Sequence, residues 1–419
     1  MKNPVKRLRP GRRRPQKRLR RKRRQPKGAR QGRGQRINRK NTAPLGRVEE
    51  EFWLERLKRF RELLVREGLD GFLVTSGENR RYLSGFTGSS GVLLVSLEDA
   101  LLLTDFRYLE QAEQELVGSG FALKEHEPEM WKTVSALLEA GSGFLPHRQY
   151  KQKLRWGFEG DHLVEKHYRF LSEKAGGIQL IPREGLLAEL RSVKSPEELM
   201  LIKKAVSVTD QAWARVWPQI KPGLTETEVA ALFEYEQRRL GASGVSFQTI
   251  VASGPRSALP HGIAGQRLLQ AGDLLVLDGG AVVDGYCSDF TRTIVVGGEL
   301  REQKQQELYD LVLAAQEAAL SGLRPGITGR EGDALGRRVI EEAGFGRYFG
   351  HGLGHSLGLA IHEEPRLAPR AETVLTPGMV FTVEPGIYLP GWGGIRIEDV
   401  VVITESGCED LTGSEKRLT

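Results

Sequence analysis

Cysteine is nearly missing from this chain: Cys287 and Cys408 are the only two in 419 residues. That is too few for a disulfide framework, and a reducing cytoplasm is the default expectation. No run of 18 apolar residues occurs, so no membrane span is expected. Acidic residues are absent from the first 47 positions, which hold 21 of the 62 Lys and Arg. The rest of the chain carries 41 basic residues against 54 acidic ones, a net charge of −13, so the overall +8 hides an acidic body behind a basic tail. No apolar stretch follows the Arg-rich start, which excludes a secretory signal, and a transit peptide would be amphipathic and Ser-rich, which this segment is not. A Walker A loop is lacking, and GHGLGHSLG does not match GxGxxG, which leaves nucleotide binding without support. HEEP has no second histidine at the offset a zincin helix needs.

Residues 1–47 cannot bury enough apolar surface to offset their ordering entropy and are expected to be a disordered basic tail. Such a tail binds nucleic acid or another polyanion, serves as a localisation signal, or is a dispensable extension ahead of a start at Val48. From there VEEEFWLERLKRFRELLVREG has the period of an amphipathic helix, apolar at Phe52, Leu54, Leu57, Phe60 and Leu64. Residues 48–183 alternate short apolar strands (DGFLVTS, GVLLVSLE, ALLLTDF) with helical segments, which implies a sheet with helices packed on it. A second domain, 184–419, includes a helix announced by Ser195, Pro196 and Glu198, a capping-box spacing with Pro at the first helical position.

Within that domain KPGLTETEVAALFEYEQRRLGA (221–242) aligns without gaps on RPGITGREGDALGRRVIEEAGF (324–345). The offset of 103 is too long for a solenoid and implies two related halves about a pseudo-twofold axis. The acids follow the repeat. Asp278 precedes Glu384 by 106 residues and Asp289 precedes Glu398 by 109. Each ends or interrupts a short apolar run: LLVLDGG, SDFTRTIVV, VFTVEPG and GIRIEDVVVI. An Asp in LDGG is ordinarily a turn former, and Glu398–Asp399 beside Arg396 is ordinarily a salt bridge. Paired acids at matching points of two halves are hard to explain that way and suggest a metal site instead.

Four carboxylates with His355 make a hard, oxygen-rich ligand set without thiolates, which argues against a structural zinc site. Mn²⁺ suits such a set, with Co²⁺, Zn²⁺ or Fe²⁺ also compatible. Four acids exceed what one divalent ion needs. Two ions about 3.5–4 Å apart, bridged by carboxylates and a shared hydroxide, balance the charge and make a metal-dependent hydrolase. His261, His351 and His362 are nearby candidates for transition-state contacts, and the glycines of GHGLGH place His351 and His355 on a loop or strand.

Taken in order, LPHG, LDGG…YCSDFTRT, GHGLGHSLGLAIHEEP, TVEPGIY and GIRIEDVVVI closely resemble the aminopeptidase P–prolidase branch of the pita-bread M24 metallopeptidases. The resemblance covers residues 48–419. It implies an α+β chain: a creatinase-like N-terminal α/β domain, then a pita-bread catalytic domain with a pseudo-twofold repeat. It further implies that Asp289 and Glu398 bridge two metal ions, that Asp278 binds one of them, and that His355 and Glu384 bind the other. Glu384 then doubles as proton shuttle. His261 and His362 polarise the scissile carbonyl, and His351, Tyr388 and Arg396 lie near the substrate. The activity implied is removal of the N-terminal residue from peptides with proline second. The alternatives are an Xaa-Pro dipeptidase or a non-enzymatic pseudo-peptidase that binds a partner. A homodimer or higher homo-oligomer is part of the same expectation.

Overall fold

The computed structural model describes residues 45–140 and 153–419. The basic tail lies outside the described residues, except for its last three positions, which already belong to the first helix. Elements alternate along the N-terminal part: α1 (Leu45–Arg66), β1 (Gly71–Val74), α2 (Gly77–Ser84), β2 (Val92–Ser96), β3 (Ala100–Thr104), α3 (Leu109–Glu115), β4 (Ala122–Glu125), α4 (Met130–Ala140), β5 (Leu154–Glu159), α5 (Glu165–Lys174), β6 (Ile178–Arg183) and α6 (Leu186–Ser192). The six strands form one sheet in the order β4-β3-β2-β1-β5-β6. Pairing is antiparallel from β1 through β3 and parallel elsewhere.

Side chains alternate across this sheet, so each strand feeds two cores. Phe72 and Val74 pack with Leu57 and Phe60 of α1, while Leu73 packs with Val134 of α4 and Leu171 of α5. Helices on both faces explain why these strands read as continuous apolar runs. The stripe expected on α1 is realised at Leu57, Phe60 and Leu64, joined by Leu63, but Leu54 is 48% exposed. Helix α2 has a polar sequence and was not legible as a helix. Ser76 caps it by accepting from the Asn79 N–H, and its buried Arg80 donates to the Gly88 and Gly91 carbonyls at 2.7 and 2.8 Å, which makes that burial tolerable.

The second part begins with α7 (Pro196–Val216), whose expected capping box is present at Ser195 and Glu198. The first half continues with α8 (Glu226–Arg239), β7 (Gly244–Val245), β8 (Ile250–Ser253), β9 (Leu274–Asp278), β10 (Ala281–Val283), β11 (Tyr286–Cys287) and β12 (Thr291–Val295). The other half comprises α9 (Lys304–Gly322), α10 (Gly329–Glu342), β13 (Gly354–Ser356), β14 (Glu363–Leu367), β15 (Val380–Val383), β16 (Gly386–Leu389), β17 (Gly393–Arg396), β18 (Asp399–Ile403) and β19 (Cys408–Asp410).

The sequence repeat is a structural one. Thr225 with Glu228, and Thr328 with Glu331, form matching capping boxes on α8 and α10. Gly241 and Gly344 follow those helices with φ of 104° and 84°, a conformation glycine adopts without a Cβ penalty. Isolated bridges tie Thr225 to Leu268 in one half and Thr328 to Val374 in the other. Strands β9 and β12 pair antiparallel, as do β15 and β18. Leu275 and Leu277 of β9 pack with Trp213 of α7 and Phe233 of α8; Phe381 and Val383 of β15 pack with Val312 of α9 and Ile340 of α10. Period two then turns Asp278 and Glu384, at the ends of these strands, to the face away from the helices.

The two parts are tied by buried charge. Arg56 of α1 meets Glu198 of α7 at 3.0 Å and donates to the Tyr82 carbonyl at 2.9 Å, and the Tyr286 hydroxyl donates to Glu198 at 3.0 Å. Helix α6 lays Leu187 and Leu190 into the N-terminal core.

Candidate active site

The two half-sheets meet where Thr291 and Glu398 form an isolated antiparallel bridge. The acids converge there. One side-chain ligand atom from each of Asp289, His355 and Glu398 lies within 4.8 Å of the others. His355 Nε2 stands 3.5 Å from an Asp289 oxygen and 3.5 Å from a Glu384 oxygen. Gly354 permits this approach, since a Cβ there would stand 1.9 Å from the Thr382 carbonyl oxygen of β15.

Each ligand candidate is held from behind. The Thr291 hydroxyl donates to Glu398 at 2.5 Å and the Thr382 hydroxyl donates to Glu384 at 3.0 Å. The Phe290 N–H donates to Asp289 at 3.0 Å. His355 Nδ1 lies 3.1 Å from the Ser356 carbonyl, which leaves Nε2 facing the acids. The threonines were missed from sequence, although period two in SDFTRT puts Thr291 on the face of Asp289.

Arg396 is the cation of the site. It pairs with Asp278 and donates to the Tyr388 hydroxyl at 2.7 Å and the Pro260 carbonyl at 3.1 Å; its Nε lies 3.1 Å from the Thr291 hydroxyl. The salt bridge weighed between Arg396 and Glu398–Asp399 is therefore not formed. Asp399 pairs instead with the buried Arg292 at 2.8 Å, and Arg292 also donates to the Glu398 carbonyl at 2.7 Å. His351 Nε2 lies 3.0 Å from the Tyr388 hydroxyl. His362 is exposed and stands edge-on to His355, ring centroids 4.5 Å apart. His261 is exposed on the loop whose Pro260 carbonyl binds Arg396.

Burial pushes the Asp289 carboxyl well above its ordinary range, and Asp278 and Glu384 push it further. Glu398 is raised in the same way by burial and then by Asp289, Glu384 and Asp278. Burial lifts Glu384 to about 7, against the pull of Arg396, and raises Asp278 too. His355 is lowered to about 4 by burial, so it is neutral at pH 7 with a lone pair to offer. One Asp278 oxygen is buried without a hydrogen-bond partner among the described residues. A group of buried acids that repel one another, a neutral imidazole and an unpaired carboxylate oxygen suit divalent cations that accept both carboxylate and imidazole ligands. These residues fit such ions.

Residues 200–405 match metallopeptidase family M24, and residues 56–193 match the creatinase/prolidase N-terminal domain. A solved Xaa-Pro dipeptidase from Bacillus anthracis is 44% identical with a TM-score of 0.82, covering 87% of this chain and 99% of that one. A solved X-Pro aminopeptidase from Thermotoga maritima MSB8 is 38% identical with a TM-score of 0.78, covering 86% and 98%. The Xaa-Pro dipeptidase of Pyrococcus horikoshii is 38% identical over 367 residues, 87% of this chain and 98% of that protein. A creatinase-type N-terminal domain followed by a pita-bread catalytic fold, matched along nearly the full length of these relatives, leaves one assignment: the chain belongs to metallopeptidase family M24.

Proposed function

We propose that this peptidase is an Xaa-Pro dipeptidase that cleaves the bond before a C-terminal proline. The observation that carries the reading is the chain-long similarity to the Bacillus anthracis Xaa-Pro dipeptidase. It moves the weight from the aminopeptidase expected from the motifs to the dipeptidase held as its alternative. The aminopeptidase remains the second reading, because the Thermotoga maritima protein is similar over the same length.

In this reading residues 48–183 form a non-catalytic domain and residues 184–419 the catalytic one, with α6 reaching back to pack in the N-terminal core. Asp278, Asp289, His355, Glu384 and Glu398 hold two divalent ions, Mn²⁺ first, with Co²⁺, Zn²⁺ and Fe²⁺ as alternatives. When bound, the ions polarise the scissile carbonyl and supply a water-derived nucleophile near neutral pH. Glu384 carries a proton towards the leaving nitrogen. That nitrogen belongs to proline and has no N–H to offer a donor-requiring site. His261 and His362 donate to the oxygen on which charge develops. Arg396, fixed on three sides, holds Asp278 and Tyr388 in place, and His351 orients Tyr388. A homo-oligomer in the cytoplasm completes the proposal. No helix among the described residues is long and apolar enough to cross a membrane.

Purified protein with Mn²⁺, given Ala-Pro, Ala-Pro-Ala and Ala-Ala-Ala, tests the substrate class. Cleavage of Ala-Pro alone supports the dipeptidase. Efficient cleavage of Ala-Pro-Ala makes the aminopeptidase the correct reading, and inert peptides with metal bound reject both.

A further inference from the structure

His362 sits on a hairpin whose base is bolted to the N-terminal part of the chain. Strands β13 and β14 pair antiparallel, and Ser356 opposite Glu363 closes the hairpin, leaving residues 357–362 as its loop. The register shifts between His355 and Ser356, a bulge of the kind that re-aims side chains next to a site. Both closing residues are gripped by one buried lysine. Lys194 Nζ donates to the Ser356 hydroxyl at 2.8 Å and reaches one Glu363 oxygen at 3.5 Å. The other Glu363 oxygen pairs with Arg191 of α6 and accepts from the Ala360 N–H, inside the loop, at 3.0 Å.

The grip continues into the N-terminal sheet. Arg191 donates to the Asn79 side-chain oxygen at 2.8 Å, and Asn79 donates to Glu159 of β5 at 2.6 Å. Glu159 in turn accepts from the Ser76 N–H at 2.7 Å, at the cap of α2. The connected groups therefore run Glu159, Asn79, Arg191, Glu363, Lys194, Ser356. The last of these presents its carbonyl to His355 Nδ1. Both Glu363 and Lys194 are less than a tenth exposed, so neither charge is relieved by water, and each requires the other and Arg191. Apart from the Ser356 carbonyl beside His355, none of these groups touches a ligand candidate, and Glu363, Lys194 and Arg191 have no part in the chemistry above.

We propose that Glu363 is a positioning residue: clamped by Arg191 and Lys194, it fixes the 357–362 loop and so the direction of His362, making that histidine's placement depend on the N-terminal domain. The proposal rests on the peptidase reading for its kinetic consequence but not for its structural one. A loop fixed at its base holds a donor ready for the developing oxyanion, and a loose loop reaches it only part of the time.

The test uses Glu363→Gln, nearly the same shape without the charge, and Arg191→Gln, which cuts the link from the other side. Each is made alone and with His362→Ala in the full chain. Metal content and the fraction folded are measured for all. Either single variant should lose about tenfold or more in kcat, with KM changed much less. In the His362→Ala background the same substitutions should have almost no further effect, because what they position is gone. Equal losses with and without His362 would mean a general structural role and overturn the proposal. If Glu363→Gln does not fold, the Arg191→Gln cycle decides alone. Amide hydrogen exchange needs no substrate. Either variant should speed exchange across 357–362 while strands β9 and β18 keep their protection. Unchanged exchange in that loop overturns the proposal even if the peptidase reading stands. Faster exchange in a protein that cleaves no Xaa-Pro peptide sustains the positioning and rejects only the activity.

Discussion

Thr291 and Glu398 bind each other twice across the seam between the two halves: the Glu398 N–H donates to the Thr291 carbonyl at 3.1 Å, and the Thr291 hydroxyl donates to the Glu398 carboxylate at 2.5 Å. A residue of one half thus fixes an acid of the other. The backbone bond survives any substitution that keeps strand geometry. The hydroxyl bond does not.

Thr291→Val should therefore fold normally and bind divalent ions about ten- to a hundredfold more weakly, the usual effect of losing a group that orients a ligand. Calorimetric Mn²⁺ titration of wild type and variant checks this. An unchanged affinity would show that Glu398 needs no support from the other half.

Arg396 offers a second test, this time of stability. It is buried, it is the partner of Asp278, and its neighbouring carboxylates and Tyr388 outweigh burial in holding its charge. Removing one member of a buried pair leaves the other uncompensated, which costs about 3–5 kcal/mol. Arg396→Met should lose about that much in urea unfolding of metal-free protein. A loss below ~1 kcal/mol would mean that Asp278 is neutral or hydrated.

Much of this was legible in the sequence, and the physical reason is locality. The repeat was visible because capping boxes and the glycines after helices are written within a few residues of each other. The acids were visible because each interrupts an apolar strand, and period two places them on one face. Lys194, Ser356 and Glu363 were not. Their contact spans more than 160 positions of the chain, and no local pattern links a lysine in a connecting segment to the base of a distant hairpin. Helix α2 was missed because a polar segment is held by a cap and by buried arginine contacts, neither of which produces an apolar stripe. Leu54 went the other way: it has the right spacing for the α1 core yet remains half exposed.

The pH dependence of stability follows from Glu363. Burial alone would raise its pKa, but Lys194 and Arg191 overcome that and hold it below the ordinary value. A carboxyl that is more acidic folded than unfolded adds stability in full above its unfolded pKa of about 4.3. That stability is lost as pH falls through the folded value. Wild type should thus lose more stability than Glu363→Gln on going from pH 6 to pH 3. Urea midpoints at a series of pH values measure it, and parallel curves would refute a depressed Glu363.

In the proposed reading, acids from two repeated halves form one metal-dependent hydrolytic centre. The most direct measurement strips the protein with EDTA, verifies the metal content by elemental analysis, and adds back Mn²⁺ while Ala-Pro hydrolysis is followed. Stripped protein should be inactive. Activity should return as about two ions bind per chain, and Asp289→Ala should fail to recover at any Mn²⁺ concentration that saturates wild type. Full activity in stripped protein, or in Asp289→Ala, would contradict it.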